Sequence, residues 1–233
     1  MANNNVIELE NVKKEYNLGQ TLVNALNGVS LTVSKNEFLA LSGPSGSGKS
    51  TILNIIGCID TPTSGSVVIN NKNVVDLSDN ERTRYRRVTI SFIFQSFNLI
   101  PVLNVYENIE LPLLLQKMTD KKERHERVMH FISEVGLTDR IKNKPGELSG
   151  GQRQRVAIAR ALVTKPIMVL ADEPTANLDS VTGGKILDLM QEINSREGTA
   201  FIFSTHDFQI VERARRIVKI RDGRIISDET KAA

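Results

Sequence analysis

The sequence predicts an α/β fold in which helices cover a parallel β-sheet. A short apolar run over Phe38–Leu41 leads into a glycine-rich loop, and apolar residues at helical spacing follow from Ile52 to Ile56. Further along the chain, apolar runs at 167–171 and 200–204 enclose a helical stretch at 181–193. Strands that alternate with helices in this way pair in parallel. We therefore expect these segments to form one α/β core.

Other segments have the apolar patterns of additional strands. Val6–Val12 and Leu26–Val33 alternate apolar and polar residues, which is typical of half-buried strands. Val67–Ile69 and Val88–Phe94 are short apolar runs that we also interpret as strands. Near the end of the chain, Asp222-Gly223 separates two apolar runs, and this dipeptide predicts a β-hairpin.

The pattern between residues 97 and 161 is helical instead. Val128, Ile132 and Val135 form one apolar stripe at helical spacing after a charged run. The sequence therefore predicts a single domain over residues 1–233, with a helical subdomain inserted at 97–161. We find no internal repeat and no low-complexity linker.

Composition excludes several classes of protein. A 233-residue chain with 40% apolar and 24% charged residues is an ordinary globular protein. Tryptophan is absent, which argues against binding nucleic acid by stacking. The net charge is only +3. Arginines cluster at 82–87 and 213–216, and we interpret these clusters either as solvated helix faces or as contacts to acidic lipid or nucleic acid. Cys58 is the only cysteine, so no disulfide can form within the chain, and its apolar neighbours predict burial.

The sequence contains neither a signal-like apolar region nor a membrane-spanning segment. No stretch approaches the ~20 apolar residues that a helical span requires. We expect a cytosolic chain, and if the protein works at a membrane, another subunit must supply the spans.

The loop Gly43-Pro44-Ser45-Gly46-Ser47-Gly48-Lys49-Ser50 matches the phosphate-binding pattern of two glycines followed by Lys and Ser. Glycines allow backbone N–H groups to turn inward around phosphate oxygens, and the following helix directs its positive end at the same anion. Lys49 adds a positive charge for the β- and γ-phosphates, and the Ser50 hydroxyl suits Mg²⁺. The loop therefore predicts binding of a nucleoside triphosphate.

Two carboxylates follow the apolar run at 167–171. The strand should carry Asp172 to the sheet edge beside the phosphate loop, where this side chain can hold Mg²⁺. Glu173 can then face the water that attacks the γ-phosphate. The alternative is a polar end to a buried strand.

A second candidate anion site lies at Leu148-Ser149-Gly150-Gly151-Gln152. A strong helix former follows it, so Ser149 and the two glycines stand at a helix N-terminus, where free N–H groups favour an anion. The simpler interpretation is that Ser149 only caps the helix.

The phosphate loop and this second motif, in this order, resemble the ATP-binding cassette (ABC) transporter ATPases, and the resemblance extends along nearly the whole chain. It implies the ABC ATPase fold: a P-loop ATPase core built on a mixed sheet with flanking helices, an antiparallel β subdomain and a helical insert. It also implies a head-to-tail homodimer, in which each ATP lies between the phosphate loop of one copy and the Leu148–Gln152 motif of the other.

The resemblance further assigns roles to individual residues. Tyr16 matches the aromatic that stacks on adenine, and Gln95 matches the glutamine that touches Mg²⁺ and the attacking water. Asn177-Leu178-Asp179 match the segment that crosses the dimer interface, and His206 matches the histidine that contacts the γ-phosphate. The catalytic residues are thus Glu173, His206 and Gln95, and the Mg²⁺ ligands are Ser50, Gln95 and Asp172. The residues assigned to ATP binding are Tyr16, Gly43, Pro44, Ser45, Gly46, Ser47, Gly48, Lys49, Ser50, Thr51, Ser149, Gly150, Gly151, Gln152 and Asp179.

A narrower resemblance, carried by residues 53–65, 94–101 and 107–113, is to the ATPases of lipoprotein-releasing, macrolide-export and cell-division systems. It implies an ATP-driven motor at the cytoplasmic face of the inner membrane, whose partners are membrane permease subunits with an extracytoplasmic domain. Nucleic acid is not expected as a partner. Chromosome-maintenance ATPases are excluded because no long coiled coil separates the two motifs in this chain. Ribosome-binding factors are excluded because they carry two cassettes in one chain, whereas this sequence has one Leu148–Gln152 motif. A regulatory ATP-binding subunit remains an alternative.

The apolar run Phe97–Leu103, directly after Gln95, has two interpretations. It either belongs to the core or lines a groove that receives a short helix of the membrane subunit. The resemblance favours the groove.

Overall fold

The computed structural model describes residues 4–19 and 21–231. Within these residues, strands and helices alternate through most of the chain, as the sequence predicts. The strands are β1 Asn5–Leu18, β2 Thr21–Ser34, β3 Phe38–Ser42, β4 Ser64–Ile69, β5 Lys72–Asn73, β6 Ile90–Ile93, β7 Met168–Asp172, β8 Ala200–Thr205, β9 Arg216–Arg221 and β10 Arg224–Thr230. The helices are α1 Lys49–Ile56, α2 Asp79–Thr89, α3 Val105–Leu115, α4 Lys121–Glu134, α5 Gly150–Leu162, α6 Ser180–Glu197 and α7 Phe208–Arg213, with short 3₁₀ turns at Thr138–Arg140 and Pro145–Glu147.

The larger sheet is mixed, which confirms the predicted class. Its strand order is β10-β9-β3-β8-β7-β6. Strands β3, β6, β7, β8 and β9 pair in parallel, whereas β10 joins β9 as an antiparallel hairpin. Asp222 and Gly223 form the predicted turn, and both have positive φ (48° and 70°), as this tight hairpin turn requires. Strands β1, β2, β4 and β5 form a separate antiparallel sheet in the order β2-β1-β4-β5.

Alternate residues of the parallel strands enter two different apolar clusters. Phe38 and Phe203 face the helices α3, α4, α5 and α6, and their ring centroids lie 4.7 Å apart. Leu39 follows Phe38 and Ile202 precedes Phe203, and these two residues face α1 and the antiparallel sheet. The larger sheet is therefore buried on both faces, as expected for parallel strands covered by helices.

The predicted helical stripe is confirmed, because Val128, Ile132 and Val135 are fully buried. These residues share one apolar cluster with α6 and the sheet. The division of the chain into a core and an insert at 97–161 stays a prediction.

The predicted strand at Val88–Phe94 is wrong at its first residues. Helix α2 continues to Thr89, and Val88 is 54% exposed at its end. The helix is started by a capping box, in which Ser78 and Glu81 satisfy each other's backbone N–H groups. The arginines at 82–87 therefore lie on a helix, and Arg86 donates from Nη1 to the carbonyl of Cys58 at 2.6 Å.

No helix in the described part of the chain is long and apolar enough to cross a membrane.

Candidate active site

The glycine-rich loop joins β3 to α1, as predicted. Gly48 has φ 105°, and a Cβ at this position would lie 2.7 Å from the carbonyl oxygen of Ala25, so only glycine fits. The ammonium of Lys49 is buried and donates to the carbonyl oxygens of Gly43 (2.8 Å) and Pro44 (2.9 Å). The loop therefore curls around the lysine while α1 presents its first N–H groups beside it.

A cavity of about 650 Å³ opens over this loop. The ends of β6, β7 and β8 meet there because carboxyl ends of parallel strands share one edge of a sheet. The cavity is lined by Val23, Asn24, Ala25, Pro44, Ser45, Gly46, Gly48, Lys49, Ser50, Thr51, Gln95, Asp172, Glu173, Ser204 and His206. The structure thus brings together the phosphate loop and the predicted catalytic residues.

Ser50 and Asp172 meet in this cavity. Ser50 Oγ lies 3.3 Å from Asp172 Oδ1, although the two residues come from α1 and β7. No cluster of three or more His, Cys, Asp or Glu side chains suited to a metal occurs among the described residues. A hydroxyl and one carboxylate fit Mg²⁺ in a nucleotide site, where this ion keeps phosphate and water oxygens as its other ligands.

Glu173 is held in a constrained geometry. Its backbone has φ 46°, which is unfavourable for a non-glycine residue, and its N–H donates to the carbonyl of Ser204 at 2.9 Å. Its carboxylate accepts from Thr205 Oγ1 at 3.1 Å and from the backbone N–H of His206 at 3.2 Å. The Glu173 side chain is 16% exposed and the His206 side chain is 76% exposed.

His206 contacts the same carboxylate with its ring. Its Nδ1 lies 2.6 Å from Glu173 Oε1, which identifies Nδ1 as the donor because an ionised carboxylate only accepts. The other ring nitrogen, Nε2, is then left for another partner, and His206 lines the cavity. Glu173 and His206 line the same cavity as Lys49, and a carboxylate bonded to an imidazole is suited to moving a proton near a phosphate.

Gln95 lies two residues beyond the end of β6 and lines the cavity. Its carbonyl oxygen accepts from Asn177 Nδ2 at 2.8 Å. The segment after β7 therefore holds the backbone of the residue that the resemblance assigns to Mg²⁺ and the attacking water, and that role stays a prediction.

Tyr16 lies on β1 and is not among the residues that line the cavity. Its hydroxyl donates to Asp60 Oδ2 at 2.7 Å, and Lys14 Nζ lies 4.8 Å from its ring centroid and 2.6 Å from Asp60 Oδ1. Burial and the hydrogen bond to Asp60 raise the pKa of Tyr16. The ring is thus held in place, and its stacking on adenine stays a prediction.

The Ser149–Gln152 motif lies outside this cavity. Ser149 caps α5: its Oγ accepts from the N–H of Gln152 at 3.3 Å, and Gln152 Oε1 accepts from the N–H of Ser149 at 2.9 Å. Gly151 packs so closely on Thr182 that a Cβ would lie 2.5 Å from Thr182 Cγ2. Gly150 faces the carbonyl of Asn177. The helix-capping interpretation is confirmed, and the role of the motif toward a second copy stays a prediction.

Asp179 caps the next helix, α6. Its Oδ1 accepts from the N–H of Thr182 at 3.0 Å, and hydrogen bonds from Thr182 lower its pKa. Asp179, Asn177 and Ser149 are all exposed. The structure therefore gathers the motif and the 177–179 segment on one exposed surface.

Sequence reasoning missed several residues of the site. Asn24 and Ala25 of β2 line the cavity, and Thr205 orients Glu173. The position of Thr205 at the end of a buried strand was a usable signal, whereas nothing local distinguishes Asn24. Gln154 was also missed; it is fully buried and donates from Nε2 to the carbonyl of Pro174 at 2.7 Å.

A second cavity, of about 480 Å³, lies beyond Gln95. It is lined by Thr83, Arg86, Arg87, Ile90, Ser91, Phe92, Phe94, Asn98, Pro112, Leu115, Arg160, Ala161 and Thr164, and is called the α2–α5 groove below. Part of the Phe97–Leu103 run packs against the core, and the interpretation that the run receives a helix of the membrane subunit stays a prediction. Leu99 is half-buried and packs against the core, Val102 is 72% exposed, and Asn98 lines the groove.

Comparison with known proteins decides the family. The family model for the ABC transporter matches residues 26–176, which include the phosphate loop, the Ser149–Gln152 motif and Glu173. The chain belongs to the ABC transporter family. Its fold and motifs are those of the ATP-binding subunit, which confirms the resemblance drawn from the sequence.

Relatives match the chain almost end to end. An uncharacterised ABC transporter ATP-binding protein of Methanocaldococcus jannaschii, MJ0796, is 46% identical over 96% of this chain and 97% of its own length. The lipoprotein-releasing system ATP-binding protein LolD of Legionella pneumophila is 42% identical over 97% of this chain and 100% of its own length. The macrolide export protein MacB of Syntrophobacter fumaroxidans is 46% identical, and the match covers 97% of this chain and 32% of that longer protein.

A solved structure confirms the ABC ATPase fold. A dimeric, post-hydrolysis state of the cassette MJ0796 bound to ADP and Pi superposes with a TM-score of 0.89 at 44% identity. The match covers 97% of this chain and 99% of that chain.

Proposed function

We propose that this chain is the Mg²⁺-dependent, ATP-hydrolysing subunit of an ABC transporter or mechanotransmission complex. The observation that carries the proposal is the Glu173 carboxylate, which is fixed by Thr205 and His206 in the cavity that also contains Lys49. A carboxylate held in this way can accept the proton of an attacking water, and a positioned base typically contributes ~10²–10⁴-fold to a rate.

The other residues of the cavity supply binding and charge. Lys49 and the N–H groups at the start of α1 favour the phosphates of ATP. Ser50, Asp172 and Gln95 would hold Mg²⁺, which would neutralise charge on the phosphates. His206 Nδ1 donates to Glu173 and leaves Nε2 for the γ-phosphate.

The functional unit of the proposal is a homodimer. Ser149, Gly150 and Gly151 lie outside their own chain's cavity, with Asn177 and Asp179 on the same exposed surface. In a head-to-tail dimer this surface of one copy closes the ATP site of the other. The dimeric state of MJ0796 supports this arrangement by homology.

In this proposal, the ATP-driven closure of the dimer powers a separate membrane subunit. The α2–α5 groove would receive a short segment of a permease that also has an extracytoplasmic domain, with the chain at the cytoplasmic face of the inner membrane. The names LolD and MacB among the relatives support lipoprotein extraction, or export of a hydrophobic or peptide substrate. Co-purification of such a permease with the tagged chain from solubilised membranes tests this part of the proposal.

The test of the ATPase is Glu173→Gln. The amide keeps the size of the side chain but cannot accept the proton, so hydrolysis should fall by roughly 10²–10⁴-fold while ATP binding persists. Because hydrolysis releases the closed state, sedimentation should show an ATP-dependent dimer. Glu212→Gln, at an exposed carboxylate on α7, is the matched control and should hydrolyse ATP normally.

Two results would contradict the proposal. Near-normal turnover of Glu173→Gln would remove Glu173 from the role of base. Absence of turnover in the unmodified chain, with its permease present, would favour the regulatory ATP-binding subunit instead.

A further inference from the structure

The backbone takes an unusual course two residues after Gln95. Phe97 and Asn98 are consecutive left-handed residues, with φ 62° and 47°. Asparagine tolerates this conformation, but it is unfavourable for a bulky side chain such as phenylalanine. Such a turn persists only where the surrounding structure enforces it.

One side chain from a distant helix holds both residues. Arg160, near the end of α5, donates from Nη2 to the carbonyl of Phe97 at 2.8 Å and from Nη1 to the carbonyl of Asn98 at 2.5 Å. The guanidinium is a rigid fork with fixed donor directions, so it selects a turn in which both carbonyls point the same way. Arg153, on the same helix, places its guanidinium 5.4 Å from the Phe97 ring centroid.

The other end of the segment is held independently. Asn177 Nδ2 donates to the carbonyl of Gln95, so Gln95 is fixed on one side by the 177 segment and on the other by the clamped turn. Arg160 and Asn98 also line the α2–α5 groove. The two hydrogen bonds from Arg160 to the Phe97–Asn98 turn, called the clamp below, therefore lie between that groove and Gln95, which lines the ATP cavity.

We propose that Arg160 is a positioning residue for Gln95: by clamping the Phe97–Asn98 turn, it holds the Gln95 side chain at the place where ATP is hydrolysed. The inference rests on the proposed ATPase function. It assigns Arg160 no contact with ATP.

Arg160→Ala tests the clamp, with Arg155→Ala as the matched control. Arg155 lies on the same helix and also donates to a carbonyl, that of Val135 at 2.9 Å, but does not touch the turn. Misplacement of a group by about 1 Å can cost about 10²-fold, so Arg160→Ala should lower kcat by roughly 10- to 100-fold with KM for ATP unchanged. Arg160→Lys can reach one carbonyl but lacks the fork, and its kcat should be intermediate.

A double-mutant cycle separates positioning from general damage. If Arg160 acts through Gln95, then Gln95→Ala with Arg160→Ala should be no slower than Gln95→Ala alone, because interacting residues are not additive. The Arg155→Ala change should instead multiply with Gln95→Ala. Melting temperatures of all variants show whether each one is folded.

Amide hydrogen exchange gives a readout that does not need turnover. Arg160→Ala, and not Arg155→Ala, should speed exchange at residues 96–99. Unchanged exchange there would overturn the clamp. Faster exchange with normal kcat, or a multiplied loss in the double mutant, would overturn the role toward Gln95. If the unmodified chain does not hydrolyse ATP, the proposed function fails, and the exchange result alone decides whether the clamp exists.

Discussion

Gln154→Leu measures how firmly α5 is tied to the segment that follows Glu173. Gln154 is fully buried, and its Nε2 donates to the carbonyl of Pro174 at 2.7 Å. Its Oε1 is also buried and has no hydrogen-bond partner in the part of the chain that the structure describes. Leucine has a similar size, so the substitution removes the polar atoms without opening a large cavity.

The expected magnitude follows from these two atoms. Leaving the buried Pro174 carbonyl without a partner costs about 1–3 kcal/mol. Removal of the unpartnered Oε1 offsets part of this cost, so the free energy of unfolding should fall by about 1–2 kcal/mol. In a chain of this size each 1 kcal/mol lowers the melting temperature by roughly 2–4 °C, which predicts a loss of roughly 2–8 °C.

Thermal and urea unfolding of the purified chain provide the assay. Gln191→Leu is the control: Gln191 is only half-buried and its Nε2 donates to the carbonyl of Arg213 at 3.2 Å, so this variant should stay within about 0.5 kcal/mol of the parent. If Gln154→Leu melts at the parent temperature, the buried hydrogen bond does not hold the two segments together. An equal loss in the control would show that burial is not the cause.

Two further predictions concern Tyr16 and Cys58. Stacking on a base is worth roughly 1–3 kcal/mol, so Tyr16→Ala should weaken ATP binding by about tenfold, as measured by calorimetry. Tyr16→Phe loses only the hydrogen bond to Asp60, so its loss of affinity should be small. If Tyr16→Ala binds ATP like the parent, the ring serves packing and does not stack on adenine. Burial raises the pKa of the Cys58 thiol from 9.0 to about 11, so Cys58 should react with a disulfide reagent at pH 8 far more slowly in the native than in the denatured chain. Because the pKa is raised in the folded state, the associated stability is complete below pH 9 and declines as pH rises from 9 to about 11. Rapid reaction of the native thiol would contradict the burial.

The parts of the site that the sequence could predict are those fixed by local chemistry. Gly48 requires a backbone conformation that side chains resist, and Asp172 ends an apolar strand whose end must reach the sheet edge. The boundary between α2 and β6 was misjudged: Val88 has a strand preference, but the helix that the capping box of Ser78 and Glu81 starts continues through it to Thr89.

Contacts that join distant segments were not predictable in the same way. The clamp from Arg160 to Asn98 and the bond from Gln154 to Pro174 depend on how α5 lies against the sheet. Neither arginine nor glutamine has a local pattern that distinguishes a clamp from a solvated side chain. Only the packed structure reveals that their partners are backbone carbonyls.

These contacts give α5 a role that its sequence motif does not suggest. Ser149 caps its first turn on the exposed surface proposed to meet a second copy, Gln154 ties it to the segment after Glu173, and Arg160 ties it to the turn after Gln95. At a rise of about 1.5 Å per residue, the helix carries these three positions along about 17 Å. A helix is stiff over that length, so the hydrogen bonds of Gln154 and Arg160 hold the segment after Glu173 and the turn after Gln95 in a fixed position relative to Ser149. One helix therefore positions the Ser149–Gln152 motif, which is proposed to face a second copy, relative to the two segments that follow Glu173 and Gln95.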